Sequence, residues 1–344
     1  MKKILLYCIV AVLFFAGFLL VFYPMGKSAA AEQEGRDAIR RFQETAEEEQ
    51  KAEEETNLAG EDGDGEDSGA DDRRQTDDGE GSGDFYAQLF QDMEEYNQKI
   101  YKEQQTSLCD AWSYQQNVFD FPAAGLKDDM VGYLTIDAMG VELPLYIGAS
   151  EENMSKGAVV LGQTSMPIGG ENTNCVIAAH RGWYTSPMFQ DIEVLEVGDE
   201  VRLTNLWGTL TYQVVKCIVI DPADIDAVKI IEGEDLLTLI TCHPYTKNYQ
   251  RYVVYCSRTG GANNLDQTKE TGQEEGETGS EEDTVSQDPA QVVIPFEGVA
   301  WESSQREILR ERTVNRLTVP ALGLLLAALI LIIIIRLLKR KRKN

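Results

Sequence analysis

Hydrophobic positions fall into three regimes along the chain. Ile4 to Tyr23 and Val319 to Ile335 are uncharged runs of 20 and 17 residues, near the length needed to cross a bilayer. Between them, apolar residues come in short, β-branched bursts separated by turn residues. The bursts are Val131–Ile136, Val141–Tyr146, Ala158–Leu161, Asn174–Ala179, Glu200–Asn205, Thr209–Ile220, Leu236–Cys242 and Arg251–Cys256. Gly140, Gly148, Gly169-Gly170, Trp207-Gly208 and Asp221-Pro222 punctuate them. Eight short strands without alternating long helices predict a mainly β fold, a closed or nearly closed barrel. Phe85–Gln105 has a different period: Phe85, Leu89, Met93, Tyr96 and Ile100 recur at helical spacing and predict an amphipathic helix packed on the barrel. Trp301–Arg316 predicts a second, juxtamembrane helix.

Charge separates the foldable part from its surroundings. The 344-residue chain has a net charge of −27. Residues 31–84 hold 21 acids and six bases, and residues 259–292 hold nine acids and one lysine. Stretches so acidic and so poor in aromatic and β-branched residues cannot bury enough apolar surface to offset the entropy of ordering, so both are expected to be disordered. The expected layout is an anchor or signal over 1–30, an acidic tether over 31–84 and one folded domain over 85–258. An acidic linker over 259–292, a juxtamembrane helix over 293–318, a membrane helix over 319–338 and a basic tail over 339–344 complete it. Lys2-Lys3 and Lys339-Arg340-Lys341-Arg342-Lys343 place both termini in the cytoplasm and the domain outside. The first run is read as an uncleaved anchor; a signal peptide cleaved near Ala29-Ala30-Ala31 is the alternative. The acidity excludes nucleic acid as a partner.

Candidate chemistry gathers at three residues. Leu237-Thr238-Leu239-Ile240-Thr241 is a buried-strand run that ends on Cys242, and Pro244 then stops the ladder, leaving the thiol at an exposed strand end. Tyr252-Val253-Val254-Tyr255 reads as the returning strand, which brings Arg251 beside Cys242. The chain has only two histidines, and His180 ends another apolar strand, Cys175–Ala179. Taken singly, these read as a buried cysteine, a satisfied core histidine and a surface arginine. Taken together, a thiol, an imidazole and a guanidinium suffice for acyl transfer through a thioester. His243 adjoins Cys242, but successive strand residues point to opposite faces, so it is not the base. Cys175, Cys217 and Cys256 sit in apolar runs as free buried thiols. Zinc spacing is absent, and neither a metal nor another cofactor is expected.

These residues resemble the sortase family, in the form seen in class C, the pilin polymerases. Thr238-Leu239-Ile240-Thr241-Cys242 is similar to the family's active-site signature, with Arg251 at the matching distance. His243-Pro244-Tyr245 with Asn248, His180-Arg181-Gly182 with Met188-Phe189, and Gly198-Asp199 fit the same class. So do Thr164-Ser165-Met166-Pro167-Ile168-Gly169-Gly170-Glu171-Asn172-Thr173 and Gly140-Val141-Glu142-Leu143-Pro144-Leu145-Tyr146. The likeness runs over residues 86–258.

The resemblance implies an eight-stranded sortase barrel and a two-step transpeptidation. Cys242 would attack the threonine–glycine bond of an LPXTG-like sorting signal, and His180 would stabilise the thiolate and protonate the leaving amine. Arg251 would hold the oxyanion or the substrate backbone. An amine then takes the acyl group: a pilin lysine in pilus polymerisation, or a cell-wall precursor in the anchoring of surface proteins. Class C members carry an Asp-Pro-aromatic lid. Asp110-Ala111-Trp112-Ser113 stands at that position without the proline, and would pair Asp110 with Arg251 and set Trp112 over Cys242, shutting the site. A hydrolytic cysteine peptidase and a non-enzymatic adhesin or scaffold barrel are the rival readings.

Overall fold

The structure, a computed structural model, describes residues 30, 32–47, 82–106, 108, 119, 121, 126, 128–182, 186–261, 292–301, 303 and 305–310, with isolated positions 323, 325, 329, 333 and 336. Eight strands close into a barrel in the order β1-β2-β3-β4-β7-β8-β6-β5. They are β1 (Met130–Ile136), β2 (Val141–Ile147), β3 (Ala158–Val160), β4 (Thr173–Ala178), β5 (Glu200–Asn205), β6 (Thr209–Ile220), β7 (Asp235–His243) and β8 (Gln250–Gly260). Each overlaps one of the eight apolar bursts, and β5 and β6 match theirs end to end. Two pairings, β2 with β3 and β4 with β7, are parallel, and the others are antiparallel. At the β1–β5 closure a Cβ on Gly132 would lie 2.1 Å from the Thr204 carbonyl oxygen, so only glycine lets the two backbones meet there.

Helix α2 (Ser82–Lys102) covers one end of the barrel, as its spacing predicts. Tyr86, Leu89, Phe90, Met93 and Ile100 are buried. Phe90 meets Trp207 edge-on at 5.1 Å, and the Trp207 indole N–H donates to the Tyr86 carbonyl at 3.1 Å. Polar contacts then fix the helix against the β3–β4 connection: Asn97 Oδ1 accepts from the Met166 N–H at 2.7 Å and Tyr96 Oη from the Gln163 N–H at 3.1 Å. The β2–β3 crossover holds the short helix α3 (Glu151–Lys156), capped by Ser150 Oγ accepting from the Asn153 N–H.

One expectation needs correcting and one element starts later than predicted. Part of the stretch expected to be disordered is a helix, α1 over 32–47. Ile39 and Phe42 share one of its faces and are buried, with Phe42 edge-on to Tyr133 of β1 at 6.3 Å. Arg36 pairs with Glu32 one turn away on the exposed side, so local ion pairs and two large apolar residues outweigh the acidic average. The juxtamembrane helix begins later than predicted: 292–301 run without regular structure, and among the described residues helix α4 covers 305–310, while 311–316 lie outside them. That extended run packs on the barrel. Val299 N–H donates to the Val219 carbonyl at 2.8 Å, Lys216 Nζ donates to the carbonyls of Ile294 and Phe296 at 3.0 and 2.7 Å, and Phe296 stacks on Tyr255. The acidic stretch after β8 therefore has both ends held at the barrel and does not connect the domain directly to the second apolar run.

Among the described residues, no helix is long and apolar enough to cross a membrane. The run Ile4–Tyr23 lies outside the described residues, as does Val319–Ile335 except for isolated positions.

Candidate active site

Register brings the three candidate residues to one end of the barrel. In the antiparallel β7–β8 pair, Cys242 stands opposite Arg251. In the parallel β4–β7 pair, Ala178 stands beside Ile240, and the ladder continues with the Ala179 N–H donating to the Ile240 carbonyl at 3.3 Å. Two residues further on, the same alignment sets His180 level with Cys242. Thr241 Oγ1 donates back to the Ala179 carbonyl at 2.7 Å, tying the two strand ends together. The His180 carbonyl accepts from the Phe189 N–H at 3.0 Å, and the buried Met188 and Phe189 pin the loop that follows.

Cys242 is half-buried between two buried neighbours, Thr241 and His243. This is the alternation a strand end should show when one face is core and the other opens to solvent. Beyond it the chain turns through Pro244, whose carbonyl accepts from the N–H groups of Lys247 and Asn248 at 3.0 and 3.1 Å. Thr246 and Asn248 in this turn take left-handed backbone angles. Arg251 Nη1 donates to the carbonyls of Asn248 and Gln250 at 3.2 and 2.9 Å, so the returning turn orients the guanidinium at the rim.

Burial separates the titrating groups. It pushes the His180 imidazole below its usual value of 6.5, so the ring is neutral at pH 7. It pushes the Cys175 and Cys256 thiols far above their ordinary range and the Cys217 thiol up to about 11. Those three thiols supply no useful thiolate near neutrality. All four described cysteines are free. Asp110 and Trp112, the lid residues expected from sequence, lie outside the described residues.

Sequence reasoning missed a buried network directly behind the thiol. Arg181 Nη2 is bonded to Glu193 Oε1, with the side chains 2% and 0% exposed. Arg181 Nη1 reaches His243 Nδ1 at 2.7 Å and the carbonyl of Cys242 at 3.3 Å. His243 Nδ1 also lies 3.3 Å from Glu193 Oε1, so the ring sits against both charges of the pair. Arg181 also lies over the Tyr252 ring at 5.9 Å. Arg181 was visible only as the neighbour of His180. Glu193 sits in a one-turn 3-10 helix, Ile192–Val194, where nothing in the sequence marks a buried acid.

A family model for the sortase domain matches residues 134–259, which take in most of the barrel. A crystal structure of Streptococcus agalactiae sortase C1 is 32% identical, covering 51% of this chain and 90% of that one, with a TM-score of 0.48. Sortase C from Clostridium perfringens SM101 is also 32% identical, covering 52% of this chain and 90% of that one, with a TM-score of 0.43. The chain belongs to the sortase family. Sortase D of Bacillus subtilis (strain 168) is 29% identical over 130 residues, which make up 37% of this chain and 63% of that protein. Sortase A of Bacillus anthracis is 28% identical over 158 residues, 45% of this chain and 72% of that protein. The matched region begins within β1 and ends within β8, so the sortase barrel carries the likeness. Helix α1 and the extended C-terminal run lie outside the matched span.

Proposed function

We propose that this sortase is a membrane-anchored cysteine transpeptidase of class C that joins pilin subunits. The observation that supports the reading is Cys242 opposite Arg251 in the β7–β8 register, with His180 two residues beyond the Ala178–Ile240 pair that ends the β4–β7 register. The Cys242 thiol attacks the threonine–glycine carbonyl of an LPXTG-like signal. The neutral His180 imidazole takes the thiol proton and returns it to the departing glycine amine, leaving a thioester on Cys242. The Arg251 guanidinium faces the carbonyl oxygen as its charge develops. A lysine amine of a further pilin then attacks the thioester, forms the isopeptide bond and frees the thiol. Asp110 and Trp112 close the site in the resting enzyme, with Asp110 paired to Arg251. Both apolar runs span the membrane, and the barrel lies on the extracellular side.

The test uses the full-length chain with an LPXTG-containing peptide and a lysine-bearing pilin peptide, read by mass spectrometry. A thioester on Cys242 and an isopeptide product support the reading, and Cys242→Ala removes both. A thioester that only a wall-precursor amine resolves replaces pilin joining with surface-protein anchoring. A thioester that only water resolves replaces transfer with hydrolysis.

A further inference from the structure

The extended run after the acidic stretch does more than cover β6. Its backbone bonds to Val219, and Gly298 is the residue that allows the approach, because a Cβ there would lie 2.9 Å from both the Ile218 Cβ and the Val219 carbonyl oxygen. Further on, Trp301 reaches the network behind the active-site thiol. Its ring meets that of His243 edge-on at 5.5 Å and that of Tyr252 at 5.1 Å and 90°. Ser303 Oγ donates to Glu193 Oε2 at 2.6 Å, and Gln305 Nε2 donates to the Glu193 carbonyl at 2.7 Å. Glu193 is thus held from two sides, by Arg181 from the barrel and by Ser303 from the run. Arg181 in turn is the donor on the carbonyl of Cys242.

We propose that residues 294–301 with Ser303 and Gln305 form a positioning strap: Trp301 against His243 and Ser303 on Glu193 hold Arg181 on the Cys242 carbonyl and so fix the placement of the Cys242 thiol. The residues involved position the reacting group and do not touch substrate. The physical logic is short-range. The His243 ring is wholly buried, and its Nε2 has no hydrogen-bond partner among the described residues. Trp301 therefore supplies packing on a ring that hydrogen bonding fixes at one nitrogen only. Removing Trp301 gives His243 room to move, and Arg181 moves with it because its Nη1 serves both His243 and the Cys242 carbonyl. The strap also lies outside the part of the chain that matches the sortase model. Its effect is therefore an addition to the barrel's own machinery.

The kinetic arm of the test rests on the transpeptidase reading, and the chemical arm does not. Full-length Trp301→Ala, Trp301→Phe and Ser303→Ala are compared with Val293→Ala, a change at an exposed residue just before the strap. The chemical readout is the rate at which iodoacetamide alkylates Cys242 across a pH series. The kinetic readout is kcat and KM for transfer from an LPXTG-containing peptide, and thermal melts fix a temperature at which every variant is folded. Because small misplacements of a reacting group are costly, Trp301→Ala is expected to lower kcat by roughly tenfold with KM within about twofold. The alkylation profile is expected to shift in the same variant, Trp301→Phe to recover most of both, and Ser303→Ala to move both in the same direction. If Trp301→Ala does not fold, Ser303→Ala decides alone. Alkylation and kcat equal to those of Val293→Ala at a temperature where the variants are folded would overturn the strap, whatever the melting points show. A shifted alkylation profile in a chain that transfers no peptide would sustain the strap and reject the transpeptidase reading.

Discussion

Cutting the buried Arg181–Glu193 pair on one side is the sharpest stability test of the network behind Cys242. In Arg181→Met the apolar stem volume is largely kept, while the Glu193 carboxylate stays buried with Ser303 still donating to it and His243 Nδ1 3.3 Å away. The same change strips the donor from His243 Nδ1 and from the Cys242 carbonyl. Leaving one member of a buried ion pair without its partner costs about 3–5 kcal/mol. For a domain of this size each kcal/mol is worth about 2–4 °C, so the melting midpoint should fall by roughly 6–20 °C. Glu193→Leu alone should also be destabilising, since it leaves the guanidinium unpaired. Arg181→Met with Glu193→Leu removes both charges, and its loss should be well below the sum of the two single losses. The assay is a thermal melt of the four full-length proteins at one protein concentration, followed by tryptophan fluorescence. Additive losses, or a fall of less than about 3 °C for Arg181→Met, would show that the two charges are not coupled and that the network does not hold this rim together.

Four further outcomes follow from the geometry and from the proposed chemistry. Burial lowers the His180 pKa below 6.5, so the ring accepts the thiol proton above that value and loses this capacity as pH falls; transfer should show an acid limb with an apparent pKa under 6.5, absent from the residual rate of His180→Ala. The same shift means that the unfolded chain binds this proton more readily, so the contribution of His180 to stability is present above 6.5 and declines on the acid side. Met93 is wholly buried between α2 and the barrel, and Met93→Ala should cost about 2–5 kcal/mol in a denaturant melt; a loss below about 1 kcal/mol would mean that α2 is not docked there. If Asp110 and Trp112 shut the site, Asp110→Ala and Trp112→Ala should each speed iodoacetamide alkylation of Cys242, and unchanged rates in both would reject the lid.

How much of this was legible in the sequence depends on where each interaction is encoded. Strands announce themselves locally, because a buried strand needs a short β-branched run and a turn at each end. All eight could therefore be read, down to the limits of β5 and β6. Helix α2 was equally plain, since its buried residues recur along one face. Helix α1 was not: Ile39 and Phe42 are two apolar residues in an acidic background, and only their burial and the contact of Phe42 with Tyr133 show what they do. Glu193 and Trp301 were invisible for the same reason. A buried acid looks like any other acid until its partner is known, and that partner, Arg181, stands 12 positions away across a loop.

The site itself was readable because its spacing is a consequence of topology. β4 and β7 are parallel neighbours, so a residue just past the end of one lies level with a residue at the end of the other after a full crossover. Here the crossover carries β5 and β6, and the offset that aligns Ala178 with Ile240 also aligns His180 with Cys242. β7 and β8 are antiparallel neighbours, so a short turn suffices to return Arg251 to a position opposite Cys242. The thiol and guanidinium therefore had to be close in sequence and the imidazole far away. The network behind them depends on the same two registers. Arg181 follows His180 and His243 follows Cys242, and the alternation of a strand turns each of these neighbours inward while the reacting pair faces out. One alignment of two parallel strands thus fixes both the chemistry on the rim and the buried charges beneath it. A shift of one residue in that register would invert every one of these faces at once.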